Sequence, residues 1–66
     1  MKNRVRELRI QKSWTQDILA EKIGVSRQTI SLIERNSLLP STIIALKIAK
    51  LFSEKVENLF ILESNK

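Results

Sequence analysis

The sequence predicts an all-α fold, a compact bundle of five short helices, and three observations carry that prediction. Apolar residues recur at helical spacing through a series of short segments. Gly and Pro occur once each, at Gly24 and Pro40, and these two punctuators help to cut the chain into those segments. The 66 residues include no Cys and no His, so neither a disulfide nor the commonest metal ligands can staple a core this small. Stability then rests on a well-idealised helical core or on oligomerisation.

The elements follow in order. A first amphipathic helix is expected from about Asn3 to Lys12, with Val5 and Leu8 at i,i+3 spacing and mostly charged residues elsewhere. Ser13 and Trp14 connect it to a second helix capped by Thr15, with Asp17 in the first turn, where the helix dipole favours negative charge. That helix runs through Leu19, Ala20 and Ile23 and stops at Gly24. Ser26 caps a third helix to about Glu34, with Ile30 and Ile33 facing inward, and Arg35 to Pro40 form a loop. Ser41 or Thr42 starts a fourth helix to about Phe52, carrying Ile44, Leu46, Ile48, Ala49 and Phe52. A short fifth turn covers Val56 to Leu59. The apolar tail Phe60-Ile61-Leu62 is too short for a helix and suits a strand.

The charge is positive and uneven. Twelve Lys and Arg against seven Asp and Glu give a net +5, and residues 1–35 hold eight of the basic and four of the acidic groups. A basic first half suits a polyanionic partner, of which nucleic acid is the commonest, and equally an ordinary solvated surface of moderate charge. No apolar run is long enough to span a membrane, and the opening MKNRVREL lacks the apolar stretch of a signal peptide, so a cytoplasmic location is expected. With no His, no Cys, no phosphate-cradling Gly loop and no evident carboxylate pair, an enzyme is the poorest reading. No cofactor, metal or small-molecule ligand is implied.

The informative stretch is residues 16–35, QDILAEKIGVSRQTISLIER. Two short helices meet here across one Gly, the helix-turn-helix arrangement. Ala20 sits where the second helix approaches the third. Gly24 falls just past a helix end, where the chain needs a left-handed residue. Val25 packs after the turn. The spacing of Ala20, Gly24, Val25, Ile30 and Ile33 resembles the Cro/repressor-type helix-turn-helix family of phage and bacterial regulators. So do Thr15-Gln16, the run from Ser26 to Ser31, and Pro40-Ser41 with the following Leu46 to Phe52. The resemblance spans nearly the whole chain, and residues 1–66 are expected to be one DNA-binding domain.

The resemblance implies that residues 26–34 form a recognition helix lying in the major groove of double-stranded DNA. Arg27 would donate to guanine and Gln28 pair with adenine. Thr29 would touch a thymine methyl or a phosphate, with Ser26 and Ser31 as further contacts. Gln16, at a helix N-terminus that itself attracts phosphate, would bond the DNA backbone and brace the interface. Arg9 and Glu34 would form a partly buried structural ion pair, and Trp14 would pack in the core. Four positions depart from the family pattern. Asn36 and Ser37 stand where Gly and a basic residue are usual, so an ionic phosphate contact is replaced by the Ser37 hydroxyl, with Arg35 as a partial substitute. Ser53 stands where a Gly often ends the fourth helix. Lys55 takes a position usually held by a capping Ser or Thr.

Apolar residues remain beyond what one small core holds: Ile18, Leu32, Leu38, Leu39, Ile43, Leu51, Ile61 and Leu62. A cluster at the C-terminal end suggests a two-fold homodimer through Leu51, Val56, Leu59, Ile61 and Leu62. Residues 1–4 against 60–63 are expected to form a two-stranded sheet. The function expected is sequence-specific binding of a palindromic operator by a homodimeric repressor. The alternative is an antitoxin-like or other protein-interaction module, with Leu38, Leu39 and Ile43 as the partner site and DNA binding secondary.

Overall fold

A computed structural model describes residues 2–61. The order is β1 (Lys2–Asn3), α1 (Val5–Gln11), α2 (Gln16–Ile23), α3 (Arg27–Glu34), α4 (Thr42–Phe52), α5 (Val56–Leu59) and β2 (Phe60–Ile61). The five-helix architecture matches the expectation, and so does the small sheet. β1 and β2 pair antiparallel with Lys2 opposite Ile61 and Asn3 opposite Phe60. The strand contributions expected of Met1, Leu62 and Glu63 lie outside the described residues.

The first helix is shorter than its periodicity suggests. Asn3 belongs to β1, and its Oδ1 accepts from the Val5 N–H at 3.1 Å, which turns the strand into α1. Thr15, Ser26 and Ser41 cap α2, α3 and α4, each side-chain oxygen accepting an N–H three residues on. Lys55 offers α5 no such bond. A one-turn helix is unstable alone. This one persists because Leu59 is fully buried and the Arg4 N–H donates to the Leu59 carbonyl at 2.9 Å.

All four longer helices end in the same way. Ser13, Gly24, Asn36 and Ser53 take left-handed backbone, with φ of 62°, 89°, 61° and 55°. In each case the following residue returns its N–H to a carbonyl five residues back: Trp14 to Arg9, Val25 to Ala20, Ser37 to Leu32 and Glu54 to Ala49. Only Gly24 takes this conformation without strain, and Asn36 tolerates it.

The core lies between α2, α3 and α4. Leu19, Ile30, Ile33 and Ile48 are fully buried at its centre, with Val5 from α1 and Leu59 from α5 closing it. Ala20, also buried, stands on the face of α2 that packs on α3. Trp14 is half-buried and packs on Phe52, with ring centroids 5.7 Å apart, as expected of a core residue. Lys22 and Lys12 lie over its ring at 4.9 and 5.9 Å. Leu46 departs from the others on α4 and points to solvent.

The Arg9–Glu34 ion pair ties α1 to the end of α3. Arg9 Nε donates to Glu34 Oε2 at 2.7 Å and Nη2 to Oε1 at 3.3 Å, with the side chains only 11% and 4% exposed. Gln16 Nε2 adds a third donor at 3.1 Å, and Arg9 Nη1 donates to the Trp14 carbonyl at 2.8 Å. A carboxylate taken out of water is stabilised only if its lone pairs are met in this way.

Replacing Glu34 with Ala leaves Arg9 charged and unpaired. The expected loss is about 3 kcal/mol in urea denaturation, since breaking a buried pair costs roughly 3–5 kcal/mol. A loss below about 1 kcal/mol would show that water repairs the site. At the helix ends, Ser53→Gly is expected to raise stability by about 0.5–1 kcal/mol through relief of left-handed strain. Gly24→Ala should lower it by about 1 kcal/mol. A Cβ at Gly24 meets nothing within 4 Å, so that cost is backbone alone. Thermal melts that move both variants in the same direction would contradict this account.

Candidate nucleic-acid interface

The turn between α2 and α3 presents the expected contact residues from a fixed frame. Ile30 and Ile33 anchor one face of α3 in the core, which leaves the opposite face in solvent. Arg27 and Gln28 lie on the exposed first turn. Thr29 and Ser31 are half-buried. Ser26 has its oxygen committed: it accepts from the Thr29 N–H at 3.1 Å and shares a hydrogen bond with the Thr29 hydroxyl at 2.9 Å. Ser26 and Thr29 therefore form a closed pair at the helix start, and the two residues between them, Arg27 and Gln28, are exposed.

Gln16 is turned inward, braced on Glu34 through one amide hydrogen. The bracing half of its expected role is therefore visible. A phosphate here would meet the remaining amide hydrogen and the unpaired N–H groups of the α2 terminus. Arg35 and Ser37 are exposed beyond the end of α3, and Asn36 between them supplies the left-handed turn expected of it. Among the described residues no pocket opens, and no group of three or more His, Cys, Asp or Glu side chains could hold a metal. No described helix is long and apolar enough to cross a membrane.

Two residues matter more than their sequence context suggested. Asn3 was expected only as part of a helix start or a terminal strand. Its Nδ2 donates to the Ile33 carbonyl at 2.9 Å and to Asn36 Oδ1 at 2.7 Å, which pins β1 to the end of α3 and to the loop. The partners are 30 and 33 residues away, so no local pattern reveals them. Asp17, expected only to complement the α2 dipole, lies 4.0 Å from Arg27.

The expected dimer surface needs correction. Leu59 is fully buried within the chain, because α5 closes the core with it, so it cannot face a second copy. Leu51 and Val56 are half-buried and pack against the same core. Ile61 is exposed, and Leu62 lies outside the described residues. The two most exposed large apolar residues among the described ones are Leu39 in the loop at 72% and Ile43 on α4 at 67%; Leu46 on α4 and Ile10 on α1 follow at 55%, and Leu38 is at 40%.

Asn3→Ala, which removes three hydrogen bonds, is expected to cost about 2–3 kcal/mol, from bonds worth roughly 1 kcal/mol each. Asn3→Asp, of equal size, should cost more. It removes both donors and sets a carboxylate against the Ile33 carbonyl and Asn36 Oδ1. Equal denaturation midpoints for the Asp variant and the wild type would show that the clamp is not needed.

Comparison with known proteins agrees with this geometry. The helix-turn-helix family matches residues 5–59. The HTH-type transcriptional regulator YgzD of Bacillus subtilis is 49% identical over 63 residues, covering 96% of this chain and 96% of its own. An HTH-type transcriptional regulator of Methanocaldococcus jannaschii is 48% identical over 65 residues, covering 98% of both chains. A third, from Archaeoglobus fulgidus, is 43% identical over 63 residues, covering 96% of this chain and 90% of its own. With the family match running from α1 to the end of α5 and such relatives aligned nearly end to end, the chain belongs to the helix-turn-helix family.

Proposed function

We propose that this protein is a transcription regulator that binds duplex DNA at a defined sequence, as a homodimeric repressor on a palindromic operator. It acts in the cytosol, needs no cofactor and carries out no catalysis. One observation supports the reading above the others. Arg27 and Gln28 are exposed side by side on the first turn of a helix whose other face and both ends are fixed. Arg and Gln are the side chains that pair with guanine and adenine edges in the major groove. The relatives are named as transcriptional regulators, and the chain's net +5 suits a polyanion.

In the repressor reading, two copies place their α3 helices about 34–36 Å apart, one turn of B-DNA. Arg27 and Gln28 read bases, with Thr29 and Ser31 as apolar or polar neighbours. Gln16, Ser26, Arg35 and Ser37 face the backbone. Occupancy of the operator then blocks polymerase.

A protein-interaction module of antitoxin type is the second reading. The exposed stripe of Leu38, Leu39, Ile43 and Leu46 favours it. It requires a second protein to co-purify in stoichiometric amount.

The test is selection from a random duplex library, followed by titration of the winning site at two salt concentrations. A palindrome should emerge. Arg27→Ala and Gln28→Ala should each lose about 1–3 kcal/mol at one base pair of each half-site. Arg35→Ala should weaken all duplexes alike and lower the salt slope by about one. Binding that is purely salt-driven, with no enriched site, would sink the repressor reading and leave the partner module.

A further inference from the structure

We infer that Asp17 is a specificity-determining positioning residue that makes Arg27 a reader of bases and not merely a phosphate-binding cation. The inference rests on the DNA-reading function proposed above. Asp17 is the second residue of α2, and Arg27 is the first of α3, so their pair bridges the N-terminal ends of the two motif helices. Asp17 Oδ1 stands 4.0 Å from Arg27 Nε, with side chains 78% and 67% exposed. Among the described residues it is the only carboxylate within that distance of Arg27.

An exposed pair of this kind contributes almost nothing to stability. A carboxylate in the first turn of α2 also suits the helix dipole, but Thr15 already satisfies an N–H of that turn. Neither reason accounts for a carboxylate on the very surface that would meet phosphates, where it opposes binding. Its value lies in geometry. The carboxylate approaches the Nε edge of the guanidinium, which leaves the terminal Nη1 and Nη2 donors free. Those two N–H groups form the fork that matches guanine O6 and N7. When docking excludes water the attraction at Nε strengthens, and the long Arg side chain is held in one orientation. Without Asp17, Arg27 keeps its rotamer freedom and can turn to the nearest phosphate, a contact that carries no sequence information. Asp17 at the same time penalises docking on a backbone that offers Arg27 no base.

The experiment compares wild type, Asp17→Asn, Asp17→Glu and Arg27→Ala. Each is titrated against the selected site, against that site with single base pairs changed, and against an unrelated duplex. Asp17→Asn should bind the unrelated duplex about threefold or more tightly and lose about five- to tenfold of preference at the base pair that Arg27 reads. Preferences at the other positions should not move, and the circular-dichroism melt should fall by no more than a few degrees, the effect of one charge lost from the first turn of α2, because Asp17 is exposed and buries nothing. Asp17→Glu should restore part of the preference. In the Arg27→Ala background, Asp17→Asn should change no preference at all. A selective wild type whose Asp17→Asn variant is equally selective overturns this inference alone. A wild type that selects no site overturns it together with the function on which it rests.

Discussion

The structure depends on the Glu34 carboxylate and the three donors that converge on it. Arg9 brings α1, Gln16 brings the start of α2, and Glu34 itself ends α3. Arg9 then reaches on to the Trp14 carbonyl, which fixes the connector between the first two helices. One nearly buried anion thus holds three elements in register. It does so at the C-terminal end of α3, with Gln16, itself one of the proposed DNA-contact residues, among its donors. The arrangement is costly to desolvate, and hydrophobic residues could fill the same volume at equal or greater stability. What an ion pair adds is a single geometry. A recognition helix that must place two side chains on base edges gains from that uniqueness.

The chain closes a core of few residues by ending its helices sharply. Four successive left-handed residues turn each helix back on the last, yet only one is Gly. Ser13 and Ser53 carry strain that a Gly would remove. The strain persists because the neighbouring helices fix both sides of each turn. The short α5 shows the opposite balance. It lacks a side-chain cap, and the burial of Leu59 offsets that lack.

The surface around the α2–α3 turn combines exposed cations with one well-placed anion. Arg27 and Gln28 stand exposed between Ser26 and Thr29, which are closed on each other, and Asp17 faces Arg27 from α2. Polar residues on an exposed helix face are ordinarily only solvated. These differ in their setting, on a helix start whose cap is closed and whose inner face is anchored by Ile30 and Ile33. Asn3 extends the same logic to the far end of α3, where it joins the chain-end sheet to the loop carrying Ser37.

The sequence by itself determined the element order, the caps at Thr15 and Ser26, a cap at Ser41 or Thr42, and the left-handed turns at Gly24 and Asn36, because these are local effects of side-chain chemistry on adjacent backbone. It also determined the inward residues of α2 and α3, since helical periodicity separates a buried stripe from a wet one. The pairing of Arg9 with Glu34 was legible only through the family pattern, as the two lie 25 residues apart. Tertiary structure alone decided that Asn3 clamps α3, that Asp17 faces Arg27, that Leu59 points into the core and that Leu46 points out of it. It also set the left-handed backbone at Ser13, which no propensity announces. The Asn3 clamp, the Asp17–Arg27 pair and the burial of Leu59 join segments apart in the chain, and whether such contacts form depends on how the helices cross, which one-dimensional spacing does not encode.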